Sequence, residues 1–231
     1  VDKESEATMT NDVQILNNGY PMPAVGLGVY KIADEQMEEV VRTALDAGYR
    51  AFDTAYFYGN EKALGSALKH SNVERDELFI TSKLWNDYQG YDQTIEYFNK
   101  SLDNLGLDYL DLFLIHWPCE NDQLYIESYK ALEHLYEEGK IKAIGVCNFK
   151  IHHLEKLMKE TKITPQVNQI ELHPYFNQQD VQDFCDEHDI KVTAWMPLMR
   201  NKGLLDDPVI TDIAHRYDKT PAQIVLRWHL A

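Results

Sequence analysis

Four residues of this chain have types and spacings that would let them do chemistry together. Asp53 and Tyr58 stand five residues apart in "FDTAYFYGNE", Lys83 lies in "ITSKLW" and His116 in "LIHWP". Each also has a structural reading. Aspartate at a strand end is a common turn former. Lys83 would pass as an ordinary lysine where a helix begins, and a lone histidine in an apolar run is more often a satisfied core residue. Taken as a set they read differently. A tyrosine titrates near pH 10 and is a poor acid at neutral pH unless its phenolate is stabilised. A nearby ammonium would do that, and a carboxylate would hold the ammonium charged and in position. Lowering the phenol by two units takes only about 2.7 kcal/mol. A neutral histidine can donate a hydrogen bond to a carbonyl oxygen and fix its direction. The set suits addition of a hydride to a carbonyl, with Tyr58 protonating the oxygen.

Such residues act together only if the fold brings them together, and the chain reads as strand–helix alternation. After a hairpin, "VQILNNGYPM", turned at Asn18-Gly19, apolar strands are expected over 24–28, 49–55, 78–84, 109–117, 142–149, 166–172 and 191–197. Their near-continuous apolar runs suit strands covered on both faces. The intervening segments carry helical spacing and end at Gly48, Gly106 and Gly139. A last helix begins "TPAQIVLRW", with Thr220 as N-cap and Gln223 as its capping-box partner. This period gives a parallel sheet, open or closed. An open dinucleotide-binding sheet would follow its first strand with GxGxxG, and "GLGVYK" lacks the third glycine. A (β/α)8 barrel is therefore favoured, with its chemistry at the C-terminal strand ends. Those ends carry Asp53 with Tyr58, Lys83, His116, Asn148, Gln169, His173 and Trp195. His173 rivals His116, but its neighbour Pro174 marks a rigid turn. Tyr30, Phe57, Trp85 and Trp117 also fall at strand ends and would line an apolar substrate mouth.

The bulk properties narrow the function. With 38 acidic against 22 basic residues and a net charge of −16, the 231-residue chain repels nucleic acid and anionic lipid, and neither is expected as a partner. Its three cysteines, Cys119, Cys147 and Cys185, have no CxxC spacing, which suits a reducing cytoplasmic setting. His152-His153 lack a carboxylate at metal spacing, and no metal is expected. Residues 1–11 read as a polar, disordered leader with Met9 as a candidate start. Residues 12–231 read as one domain.

The motifs "GYRAFDTAYFYGNE", "TSKLW", "LFLIHWP", "GKIKAIGVCNF", "QVNQIELHPY" and "TAWMPL" resemble those of the aldo-keto reductases, NADP(H)-dependent barrels. The likeness runs from about residue 12 to the end, and is greatest to bacterial reductases of the 2,5-diketo-gluconate and glyoxal type. It implies that Asp53, Tyr58, Lys83 and His116 form the catalytic tetrad. It also implies NADP(H) binding by Gly28, Val29, Tyr30, Asp53, Cys147, Asn148, Gln169, Trp195, Met196, Pro197 and Leu198. In that scheme Asn148 and Gln169 hold the carboxamide and Trp195 stacks on the nicotinamide. Substrate contacts fall to Tyr30, Phe57, Trp85, His116 and Trp117. Two departures are Cys147, where serine is commoner, and Met196, where many members have serine. An eighth strand and the basic loop for the adenosine 2′-phosphate are expected beyond Ala231, so these residues are expected to be a C-terminally incomplete barrel. A small carbonyl substrate and a monomeric enzyme complete the expectation. A barrel that binds cofactor without turnover is the alternative.

Overall fold

A computed structural model describes residues 12–231. The expected leader, including Met9, lies outside the described residues. The hairpin forms from β1 (Val13–Ile15) and β2 (Pro21–Pro23), antiparallel with Gln14 opposite Met22. Its turn is one residue longer than the Asn18-Gly19 reading. The Leu16 N–H donates to Tyr20 O at 3.0 Å, so the loop is Asn17-Asn18-Gly19. The Gly19 N–H donates to Leu16 O at 2.8 Å and Gly19 sits at φ 83°. That is the three-residue hairpin loop in which a turn is followed by a left-handed glycine.

Seven parallel strands follow: β3 (Leu27–Gly28), β4 (Ala51–Asp53), β5 (Phe79–Leu84), β6 (Leu110–Ile115), β7 (Ile141–Cys147), β8 (Val167–Glu171) and β9 (Lys191–Trp195). Each pairs with the next in chain order, as in a (β/α)8 barrel. Among the described residues, β3 and β9 are the outer strands of this sheet. Helices α1 (Asp34–Asp46), α2 (Glu61–His70), α3 (Tyr91–Leu105), α4 (Asp122–Glu137), α5 (Ile151–Glu160) and α6 (Gln179–Glu187) make the crossovers. Helices α7 (Pro208–Tyr217) and α8 (Pro221–His229) follow β9. The capping box of α8 forms as expected between Thr220 and Gln223. The strands are shorter than the apolar runs that announce them. His116, Trp117 and Asn148 lie just past the strand ends, and the His116 and Asn148 N–H groups still donate to Leu84 O and Gln169 O of the neighbouring strands. No helix of the described residues is long and apolar enough to cross a membrane.

Strand residues alternate between two cores. Phe52, Ile80, Leu84, Phe113, Ile115, Ile144, Val146 and Ile170 face outward and pack against helix residues such as Leu64, Phe98, Tyr125 and Leu157. Ala51, Phe79, Leu112, Leu114, Ala143, Cys147 and Val167 face inward, closed at one end by Leu16 with Tyr20 and Met22 of the hairpin. The period of two then decides where the polar residues go. Asp53, two residues after Ala51, and Lys83, four after Phe79, share the inward face, as does Gln169 two after Val167. Register lines them up across the sheet: Gly28 pairs with Asp53, Lys83 with Leu114 and Cys147 with Gln169. The polar layer therefore sits on a floor of apolar side chains at the C-terminal end.

Two glycines let elements approach closely. A Cβ on Gly145 would lie 2.3 Å from Val167 O between β7 and β8. One on Gly65 would lie 2.2 Å from Leu105 O, where α2 crosses the end of α3. Neither distance accommodates a side chain.

Candidate active site

The end of β4 carries Asp53, and the chain continues extended through Ala55 into a tight turn over Tyr56–Tyr58. Gly59, left-handed at φ 73°, then redirects it into α2. This short turn aims Tyr58 back over the barrel. Lys83, only 1% exposed, pairs with the Asp53 carboxylate and donates to Thr54 O at 2.9 Å. Its Nζ lies 5.2 Å from the Tyr58 ring centroid. His116, just past β6, sets its ring edge-on to Tyr58 at 5.8 Å and edge-on to Trp85 at 5.3 Å. The four residues singled out at the start thus meet at one point.

Electrostatics assign states to these groups. Burial is the largest single influence on Lys83 and works to lower its pKa. Asp53, Tyr58 and Cys147 together outweigh it, so the ammonium is held charged. Burial pushes His116 down to about 3, and Lys83 pushes the same way, so its imidazole is neutral at physiological pH. Its Nδ1 is buried without a hydrogen-bond partner among the described residues. A proton there would be an orphaned buried donor, which favours the tautomer protonated on Nε2. Tyr58 departs from expectation. Burial raises its pKa, Lys83 lowers it and Asp53 raises it, with the net direction upward. The ammonium here limits the cost of burying a phenolate; it does not bring the phenol below its ordinary value.

The residues expected to meet a nicotinamide lie beside this cluster. Gln169 Nε2 donates to Asp53 Oδ2 at 2.8 Å. Asn148, left-handed at φ 62°, donates from Nδ2 to His116 O at 3.0 Å and accepts at Oδ1 from Trp195 Nε1 at 2.8 Å. Asn148 therefore joins the histidine loop to the Trp195 indole, a link that sequence does not announce. Cys147 is 1% exposed and belongs to the inner core under the cluster. Burial pushes its thiol pKa well up, so it stays protonated. Gly28 and Tyr30 are exposed at the end of β3, with Val29 buried between them. Met196, at φ 53°, Pro197 and Leu198 are half-buried in the loop after β9.

The mouth is aromatic. Phe57 stacks on Trp85 with centroids 3.8 Å apart, Tyr30 lies against Tyr58 at 4.8 Å, and Trp117 is edge-on to Trp195 at 6.4 Å. The mouth is not as purely apolar as its aromatic lining alone would suggest. The Arg200 guanidinium lies over the Tyr30 ring at 5.3 Å. Its place became legible only from the folding of the loop after β9, where Met196, Met199 and Arg200 all adopt positive φ. His173, the rival to His116, is buried and bound to Glu171 Oε1 at 3.0 Å. Among the described residues no group of three or more His, Cys, Asp or Glu is arranged to hold a metal ion.

Comparison with known proteins decides the family. Residues 24–231 match the model of the aldo/keto reductase family. The chain belongs to that family. It is 49% identical over 224 residues to the glyoxal reductase of Bacillus subtilis (strain 168), covering 96% of this chain and 80% of the relative. It is 49% identical over 216 residues to methylglyoxal reductase DkgA of Escherichia coli O157:H7, covering 93% and 78%. An aldo/keto reductase from Brucella melitensis superposes with a TM-score of 0.91 at 46% identity, over 95% of this chain and 84% of that one. A Gox0644 mutant crystallised in complex with NADPH superposes at 0.90 with 43% identity, over 95% and 79%. As a member of this aldo/keto reductase family, the protein is an oxidoreductase.

Proposed function

We propose that the protein reduces small dicarbonyls and aromatic aldehydes to alcohols, with NADPH as the hydride source and Tyr58 as the proton donor. The observation that carries this reading is the convergence of Asp53, Lys83, Tyr58 and His116 beside an aromatic mouth. The relatives named as glyoxal and methylglyoxal reductases support the substrate class. The neighbour in complex with NADPH supports the cofactor.

The residues present fit a nicotinamide. A side chain at Gly28 would meet nothing within 4 Å, so the end of β3 leaves room beside Asp53. Trp195 offers a flat indole whose orientation is fixed by its hydrogen bond to Asn148. Gln169 presents an amide on the same inner face. When bound, the cofactor supplies the hydride.

Everything else falls to this chain's own side chains. His116, neutral and protonated on Nε2, donates to the substrate oxygen and sets its direction. Tyr58 holds its proton at the phenolic oxygen and releases it to the oxygen of the reduced carbon. Lys83, kept charged by Asp53, stabilises the phenolate left behind. The stacked Phe57 and Trp85, with Tyr30 and Trp117, exclude water from one side of the acceptor. Tyr58→Phe tests the assignment. A positioned general acid contributes roughly a hundredfold to ten-thousandfold, so aldehyde reduction should fall by about that factor while NADPH binding is unchanged. A variant that kept more than about a tenth of the parent kcat would lie outside that range and refute the role.

A further inference from the structure

Thr54 and Asn60 bracket the five residues that carry Tyr58, and neither belongs to the group assigned to the chemistry. Both are buried. The Thr54 backbone is fixed to β5 twice: its N–H donates to Thr81 O at 2.9 Å, and its carbonyl accepts from Lys83 Nζ at 2.9 Å. Asn60 is tied to the other side of β4, where Nδ2 donates to Val29 O at 2.9 Å. A carbonyl oxygen can only accept, so the amide nitrogen must face Val29 and Oδ1 must face Thr54. The Thr54 hydroxyl therefore donates to Asn60 Oδ1, at 2.9 Å. Between the two, Ala55 is extended, Tyr56–Tyr58 makes a single tight turn and Gly59 is left-handed. A segment of that kind has little stiffness of its own. What fixes its ends fixes the reach of Tyr58.

We propose that the Thr54–Asn60 hydrogen bond is a clasp that positions the proton donor, holding the Tyr56–Tyr58 turn at the height where Tyr58 meets Lys83 and His116. The inference rests on the reading of Tyr58 as the acid. Thr54 is pinned to the strand that carries Lys83, and Asn60 to the strand end beside Tyr30. The clasp thus references the phenol to both sides of the site. Loosening it does two things. A misplacement of about 1 Å can cost on the order of a hundredfold in rate. It also moves the phenol away from the ammonium that opposes the upward pull of burial. A reduction that needs protonated Tyr58 loses rate at high pH, and that limb should then move higher still.

The experiment measures kcat for a small aldehyde at saturating NADPH across the pH range, in the parent, Thr54→Val, Thr54→Ser and Tyr58→Phe. Thr54→Val removes the donor with little change of shape. Its kcat should fall by about ten- to a hundredfold, with the high-pH limb displaced upward and NADPH affinity unchanged. Thr54→Ser restores the hydroxyl and should return both kcat and the limb. A purely structural loss would lower kcat equally at every pH, and that result, or a Thr54→Val enzyme with parental kcat and limb, overturns the clasp. If Thr54→Val does not fold, Asn60→Ser takes its place: the Asn60 side chain makes no capping hydrogen bond to α2, serine suits the position before a helix, and it is too short to span Thr54 and Val29. Its unshifted limb would be equally decisive against the proposal. An active Tyr58→Phe refutes the assignment of the acid and the clasp with it. An inactive Tyr58→Phe beside an unaffected Thr54→Val removes the clasp alone.

Discussion

In the proposed mechanism Lys83 is the residue on which the chemistry turns. It is buried at 1% exposure and still charged, because Asp53, Thr54 O and the Tyr58 ring surround its ammonium. Its partner Asp53 is 26% exposed and also accepts from Gln169, so the pair is buried on one side only. That asymmetry makes one substitution informative. Lys83→Met keeps the length of the side chain and leaves Asp53 with solvent and Gln169, so the fold should survive. Tyr58 then loses the charge and the hydrogen bond of Lys83, both of which lower its pKa, while burial continues to raise it. The expected outcome is a slow enzyme whose phenol titrates higher than in the parent, read by ultraviolet difference titration against Tyr58→Phe controls. A phenol that titrates no higher in Lys83→Met would remove Lys83 from the tuning of the acid. His116 adds a second constraint on pH behaviour. With its pKa lowered to about 3, it contributes no ionisation near the ordinary histidine value.

At the scale of elements, much of the site was legible because strands alternate strictly. Once 49–55 and 78–84 are read as parallel strands, Asp53 and Lys83 must face the same way as Ala51 and Phe79. The period of two allows no other result. The helices were legible from spacing and caps, as the box at Thr220 and Gln223 illustrates. What could not be read was geometry set by several loops at once. Asn148 bonds to a carbonyl after β6 and an indole on β9, and Arg200 reaches Tyr30 from the loop after β9. Such contacts have no sequence period. The Tyr58 pKa was misjudged for a related reason: its proximity to Lys83 could be inferred, but the extent of its burial could not. The close crossing of α2 over α3 was equally silent, since Gly65 lies within a helical pattern where alanine would be preferred. There the Cβ of an alanine would meet backbone, Leu105 O at 2.2 Å. Gly65→Ala should therefore destabilise by about 1–3 kcal/mol despite its better helix propensity, lowering Tm by roughly 2–12 °C for a chain of this size. A calorimetric Tm equal to or above the parent would mean that α2 can shift away from α3 without cost.

Across the whole molecule, stability is linked to pH through a buried histidine. His116 is neutral in the folded chain, with a pKa near 3, and would return to about 6.5 on unfolding. Between those values the unfolded state binds the proton and the folded state does not. Stability therefore rises with pH through that window, and falls as the solution is acidified from about 6.5 towards about 3. His153 and His229 are shifted in the same direction, burial being the first cause in each, so they add to the slope. One such proton changes stability by at most about 1.4 kcal/mol per pH unit, while exposed carboxylates paired with lysines contribute little. Substituting His116 by glutamine keeps a polar side chain in the site and removes its titration. Denaturant unfolding at a series of pH values should then give a shallower loss of stability below about pH 6 than in the parent, with the two curves parallel above about pH 7. Parallel curves throughout would mean that His116 accepts its proton in the folded chain. The neutral imidazole assigned as the carbonyl-orienting donor would then be charged at low pH, and the reductase would gain an acidic limb in its rate profile that the present geometry denies it.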